Sequence, residues 1–143
     1  MKKLIIALAL LVSMLCTHTA FAGPVAVIVN SANSQDVSMA DVKNIYQDKS
    51  IVWANGAKIV VYNLPADDAA AEVFARKTAG MSARDLAAAE SNRVMSNTTR
   101  NPQQTKRDAL VSSIVAKTPN AIGYIPKELA EGKTGIRVLF TLE

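Results

Sequence analysis

The sequence of 143 residues contains a single cysteine, Cys16, and a single histidine, His18. Both lie within the first 22 residues, a segment with the features of a removable leader. Without them the chain cannot form a disulfide, a thiolate nucleophile, a Cys/His metal site or a histidine-based catalytic triad. Because histidine is the usual general base near neutral pH, the sequence favours a binding protein over an enzyme. We expect no cofactor and no metal, although carboxylate or lysine chemistry stays open.

The first 22 residues are predicted to be a secretory signal peptide. Two lysines precede an apolar run from Leu4 to Leu15, and Ala20 and Ala22 form the small-residue pattern of a cleavage site. The apolar run is shorter than the roughly 20 residues that a membrane-spanning helix needs. We therefore expect cleavage after Ala22, a periplasmic location, and no stable membrane span in the remaining chain.

The charge of the chain is nearly balanced once the leader is removed. Removing 22 residues from 143 leaves 121, and removing two of the 16 basic residues leaves 14 against 12 acidic ones. The resulting net charge is +2, with no run of basic residues that could track a nucleic acid backbone. We expect no nucleic acid partner.

Strands and helices alternate along residues 23–143, and no linker divides them. This pattern predicts one α/β domain with three layers and a largely parallel sheet. The predicted strands are Pro24 to Asn30, Ile51 to Trp53, Lys58 to Leu64, Ala121 to Ile125 and Gly135 to Leu142. Helices are predicted from Ser38 to Gln47, from Asp67 to Gly80, from Ser82 onward, from Pro102 to Lys117 and from Lys127 to Ala130.

Several short segments stand in a specific order along the chain. The most telling are 55–59 (NGAKI), 80–82 (GMS) and 118–125 (TPNAIGYI). Together they resemble the substrate-binding proteins of phosphate ABC transporters, more narrowly the short, single-lobe members of that group. The resemblance covers nearly all of residues 23–143. It implies one lobe of the type II periplasmic binding protein fold, with a mostly parallel sheet between two helical layers, and phosphate or a related small oxyanion as ligand.

Two departures from the family pattern bear on that ligand. Full-size members close two lobes around the ligand, whereas 121 residues make about one, so a homodimer or an ABC transporter partner would have to complete the site. The segment with which the family grips phosphate at a helix start corresponds to residues 63–68, which end in Asp67 and Asp68. Two carboxylates there satisfy the helix amides internally and repel an incoming anion.

The loop from Ser96 to Asn101 is the best remaining anion cradle in the sequence. It offers hydroxyls, backbone amides, a guanidinium and a helix start predicted just behind Pro102. A plain solvated loop is the alternative. We add the carboxyl end of the first strand, where open α/β sheets place ligands, and the residues that the resemblance places near the cleft. The candidate ligand-binding residues are Asn30, Ser31, Asn63, Ser96, Thr98, Thr99, Arg100, Gly123 and Tyr124.

Three functions are weighed. The first is an exported, non-catalytic solute-binding protein that serves ABC-type phosphate uptake or sensing. The second is an envelope interaction or sensor module that has kept the fold and lost the ligand, with exposed apolar surface around Trp53 and Tyr124 as its signature. The third, a carboxylate-pair hydrolase, is disfavoured because Asp67 and Asp68 are adjacent and Glu90 lies far along the chain.

Overall fold

The computed structural model describes residues 23–143, which form a five-stranded sheet with helices on its faces. In chain order the elements are β1 (Val25–Asn30), α1 (Met39–Tyr46), β2 (Val60–Asn63), α2 (Ala69–Ala79), α3 (Ala83–Met95), β3 (Gln104–Thr105), α4 (Asp108–Lys117), β4 (Ala121–Pro126), α5 (Lys127–Ala130) and β5 (Ile136–Leu142). The predicted signal peptide lies outside the described residues. Within residues 23–143, no helix has the length and apolar character needed to cross a membrane.

The α/β class is confirmed, but the sheet is mixed rather than mostly parallel. Its strand order is β3-β2-β4-β1-β5, with β2 parallel to both of its neighbours and β1 antiparallel to both of its own. The prediction was wrong here because every residue of β1 is buried. A continuous apolar run indicates burial on both faces of a sheet, and it does not indicate the direction of the strand.

Two neighbouring residues of β4 show the three layers. The ring of Tyr124 stacks on Phe74 of α2, with centroids 3.8 Å apart and planes within 3°. A Cβ atom on Gly123 would lie 2.7 Å from Cγ1 of Val111 in α4. Because successive side chains of a strand point to opposite faces, α2 covers one face of the sheet and α4 covers the other.

Most predicted helix starts are confirmed by their caps. Ser38 and Asp41 form a capping box at α1, and their hydrogen bonds hold the pKa of the Asp41 carboxyl below its usual value. Asp68 caps α2 through Ala70, and Ser82 caps α3. These short polar side chains close the orphan amides of each helix start, which is why the local pattern was sufficient to find them.

Two predicted boundaries are wrong. The strand predicted at Ile51 to Trp53 is reduced to a single bridge between Val52 and Lys58. The helix predicted from Pro102 begins at Asp108, because Gln104 and Thr105 pair with β2 as a short edge strand instead. Both errors lie in segments whose backbone hydrogen bonds are satisfied by distant parts of the chain.

Gly123 provides a test of the packing between β4 and α4. Gly123→Ala should lower the free energy of unfolding by about 1–3 kcal/mol, because the added methyl group overpacks against Val111. Urea denaturation of the purified protein measures this change. In a Val111→Ala background, which opens space at that point, the same substitution should cost much less. Gly23→Ala is the matched control, since a Cβ there meets nothing within 4 Å. Equal costs in both backgrounds would contradict the proposed contact.

Candidate functional site

The sheet places the predicted site residues at two opposite ends. Because β2, β3 and β4 are parallel, their carboxyl ends lie together, and Asn63 is the last residue of β2. We call this the carboxyl end of the sheet. β1 runs the other way, with Val25 opposite Pro126 and Val29 opposite Ile122. Asn30 and Ser31 therefore lie at the far end, and they do not share a site with Asn63.

Asn30 is buried and its polar atoms are occupied. Its Nδ2 donates to the backbone oxygens of Val115 (2.9 Å) and Ala116 (3.1 Å), and its Oδ1 accepts from the amide of Ala32 (2.9 Å). These bonds close the C-terminal carbonyls of α4. The exposed neighbour Ser31 donates its backbone amide to the oxygen of Gly135 (3.0 Å). This corner of the fold therefore uses Asn30 to join β1 to α4.

A hydrogen-bond network lies just behind the carboxyl end of the sheet. The hydroxyl of Tyr124 donates to Oδ1 of Asn63 and accepts from the amide of Leu64 (3.3 Å). Nδ2 of Asn63 in turn donates to Oε1 of Gln103 (2.8 Å), whose Nε2 donates to the backbone oxygen of Tyr46 (2.8 Å). The network fixes the end of β2 relative to β4 and to the segment before β3.

The Tyr124 hydroxyl is held in its neutral form. Burial raises its pKa well above the ordinary value, the hydrogen bond from the Leu64 amide opposes this shift, and the Asp68 carboxylate adds to it. Tyr124 is 1% exposed, so it contacts no open cleft directly. Gly123 faces α4 on the other side of the sheet, where it permits close packing. Within residues 23–143 these two residues support the site from behind.

The loop from Ser96 to Asn101 cradles an anion, and that anion belongs to the protein. The carboxylate of Asp48 accepts from the backbone amides of Arg100 (2.7 Å) and Asn101 (2.9 Å). Nη2 of Arg100 donates to the backbone oxygens of Asp48 (2.7 Å) and Lys49 (3.0 Å). The donors expected to bind a ligand are thus bound to the end of α1.

The hydroxyls of this loop also make local contacts. Oγ of Ser96 donates to the oxygen of Asn92 (2.8 Å) at the end of α3, and it lies 3.0 Å from Oγ1 of Thr98. Oγ1 of Thr99 is buried without a hydrogen-bond partner among the described residues. Ser31 shares no hydrogen bond with this loop, so the predicted pairing of the two segments is not seen within residues 23–143.

An open cleft lies at the carboxyl end of the sheet, between the N-termini of α2 and α4. We call it the α2/α4 cleft; its volume is about 510 Å³, and it is lined by Pro65, Asp67, Asp68, Arg107 and Asp108. The free amides of two helix starts and one guanidinium supply positive potential here. The carboxylates oppose it, although two of them are engaged by helix amides.

Those two engaged carboxylates belong to the helix starts themselves. Oδ1 of Asp68 accepts from the amide of Ala70 (2.8 Å), and Oδ1 of Asp108 accepts from the amide of Ala109 (2.7 Å). Asp67 is exposed and accepts no hydrogen bond within residues 23–143. Sequence reasoning missed Arg107 and Asp108 because it started α4 too early. A basic residue followed by an acidic one before the apolar stripe of α4 was the available signal.

No group of three or more metal-ligating side chains occurs among residues 23–143. The chemistry available at the α2/α4 cleft is therefore hydrogen bonding and charge. This arrangement suits the holding of a small polar molecule at the end of a sheet.

Solved structures with this fold include an ABC-type phosphate transport receptor from Vibrio cholerae, 14% identical over 80% of this chain and 44% of its own, with a TM-score of 0.61. A possible phosphate binding protein from Planctomyces limnophilus is 14% identical over 82% of this chain and 42% of its own, also with a TM-score of 0.61. A candidate phosphate ABC transporter substrate-binding protein with bound phosphate from Clostridium perfringens is 19% identical over 82% and 54%, with a TM-score of 0.52.

No family model matches the chain, and no curated protein matches it significantly. The chain spans about half the length of the similar solved structures. Identities this low establish the fold, which is that of periplasmic-binding-protein-like lobes. The fold class expected from the sequence is thereby confirmed.

The Asp48 carboxylate can be tested as a structural anion. Asp48→Gly keeps the left-handed backbone at this position, where φ is 60°, and leaves two backbone amides without an acceptor. We expect the free energy of unfolding to fall by about 2–4 kcal/mol, since each unpaired buried donor costs about 1–3 kcal/mol. Asp48→Asn keeps one acceptor and should lose about half as much. Chemical denaturation compares the variants, and equal losses would contradict this account.

Proposed function

We propose that this protein is an exported, non-catalytic binding lobe that holds a small oxyanion, phosphate above all, in the α2/α4 cleft. The observation that carries the proposal is the convergence of two helix N-termini and Arg107 at the carboxyl end of the sheet. Backbone amides at helix starts, backed by the helix dipoles, are an anion-binding arrangement. The likeness in fold to a protein with bound phosphate supports the same ligand class.

The carboxylates of the cleft determine which form of the ligand is held. Asp67, Asp68 and Asp108 outnumber Arg107, so a fully deprotonated dianion meets net repulsion. A ligand that still carries protons can donate them in hydrogen bonds to these carboxylates. Dihydrogen phosphate satisfies both requirements, whereas sulfate carries no proton near neutral pH. The cleft therefore favours phosphate over sulfate, and it favours mildly acidic pH.

The proposal extends to export and to a partner. Cleavage after Ala22 would release residues 23–143 into the periplasm, where the lobe would serve ABC-type phosphate uptake or sensing. The α2/α4 cleft is open on one side, and the similar solved structures are about twice as long as this chain. A second copy of the chain or a transporter subunit would close over the ligand and supply the donors that one lobe lacks.

The alternative of an interaction module without a ligand loses its expected signature. Trp53 is 5% exposed and Tyr124 is 1% exposed, so neither side chain contributes to an apolar surface patch. The binding proposal is favoured for that reason.

Calorimetric titration with inorganic phosphate tests the proposal. We expect saturable binding at pH 6 that weakens several-fold at pH 8, since the proton-carrying form of the ligand is depleted, and no binding of sulfate. Arg107→Gln should abolish the heat, because it removes the guanidinium from the cleft. Arg84→Gln, an exposed arginine on α3, is the matched control and should bind like the parent. Asp67→Asn should tighten binding and flatten its pH dependence.

Two outcomes would overturn the proposal. One is the absence of heat and of thermal stabilisation at millimolar phosphate, since a ligand that binds the native state must stabilise it. The other is binding that survives Arg107→Gln unchanged.

A further inference from the structure

A second cleft lies at the opposite end of the sheet, beyond the carboxyl end of β1. Its volume is about 310 Å³, and we call it the amide cleft because of its side chains. The loop after β1, the turn before β2 and the residues before β4 form its walls. The lining residues are Ala32, Asn33, Ser34, Gln35, Trp53, Asn55, Pro119 and Asn120. None of them lines the α2/α4 cleft.

Three side-chain amides of this cleft are fixed in one orientation. Oδ1 of Asn33 accepts from the amide of Gln35 (3.0 Å), and Oδ1 of Asn55 accepts from the amide of Ala57 (3.0 Å). Oε1 of Gln35 accepts from the amide of Ala54 (2.9 Å). Because each carbonyl oxygen already holds a backbone donor, the NH₂ group is the free part of each side chain.

These NH₂ groups have no acceptor of their own within residues 23–143. Nδ2 of Asn33 is buried without a hydrogen-bond partner, and the residue as a whole is 7% exposed. The side-chain nitrogens of Gln35 and Asn55 likewise donate no hydrogen bond among the described residues. A buried donor left unpaired is costly and calls for a partner from outside the chain. The cleft is thus rich in donors and poor in acceptors.

A single positive charge backs this cleft. Nε of Arg137 donates to the backbone oxygen of Asn33 (2.8 Å), and its Nη2 donates to that of Gln35 (2.7 Å). Arg137 takes no part in either ion pair of the described residues, which are Arg76–Glu72 and Arg93–Glu90. None of the lining residues is charged. The local charge therefore favours one negative charge on a ligand over two.

The geometry points to a binding site in the amide cleft for a small organic monocarboxylate. The carboxylate accepts from the free NH₂ groups of Asn33, Gln35 and Asn55, in the positive potential of Arg137. Trp53 and Pro119 give the organic part of the ligand an apolar wall, as is usual for small-molecule sites. The volume admits a molecule of a few carbon atoms. This site is independent of the oxyanion proposed for the α2/α4 cleft.

Trp53 makes the test direct, because it is the only tryptophan of the chain and lies in this cleft. Its fluorescence is followed during titration with propionate and lactate at constant ionic strength. The expected result is a saturable change at millimolar ligand together with thermal stabilisation. Propionamide and lactamide, which match the ligands in shape but carry no charge, should produce neither.

Two isosteric variants separate the free donors from the fold. Gln35→Glu and Asn55→Asp keep the acceptor oxygens for Ala54 and Ala57, and each replaces an NH₂ group with a charged oxygen. Each should weaken carboxylate binding by about tenfold or more, which corresponds to about 1.4 kcal/mol. Asn92→Asp, an exposed residue on α3 with the same change of charge, is the matched control and should bind like the parent.

Three results would overturn this inference. They are no saturable response at tens of millimolar carboxylate, an equal response to the neutral amides, and unchanged affinity in both isosteric variants. Arg107→Gln distinguishes this site from the phosphate proposal, since it should leave the Trp53 response to carboxylates intact. Either site can therefore fail without the other.

Discussion

The stacked pair of Tyr124 and Phe74 is the contact on which the arrangement of the carboxyl end depends. The pair joins the central strand β4 to α2, and the Tyr124 hydroxyl reaches the end of β2 through Asn63 and Leu64. One buried aromatic side chain thus fixes a strand, a helix and the loop that leads to the N-terminus of that helix. Its raised pKa keeps the hydroxyl a neutral donor. The α2/α4 cleft exists where it does because this support is rigid.

A second theme is that the chain satisfies many of its backbone donors with its own carboxylates. Asp48 fills the cradle at Arg100 and Asn101, and Asp68 and Asp108 each accept from an amide at the start of their own helix. An internal carboxylate costs less entropy than a bound ion, because the chain already holds it in place. Ligands are therefore left with the donors that no carboxylate reaches. In the described residues these lie at the α2/α4 cleft and at the amide cleft.

The fold could be predicted from the sequence far better than the site. Periodicity and caps located β1, β2 and the starts of α1, α2 and α3, since those signals are local. The candidate residues divided differently. Asn63 lies near the carboxyl end as expected, whereas Asn30 caps α4 at the opposite end of the sheet. A polar residue after a strand can serve a ligand or a neighbouring helix end, and only the positions of distant segments decide which.

The sequence by itself determined the α/β class, the alternation of elements, and the scarcity of histidine and cysteine that turns attention from catalysis to binding. Hydrophobic period and capping chemistry are properties of a few neighbouring residues, so they can be read without a structure. The tertiary structure alone decided the direction of β1, the filling of the Arg100 cradle by Asp48, and the grouping of Asn33, Gln35 and Asn55 around Trp53. Each of these depends on which residues meet across the fold, and local sequence carries no record of that.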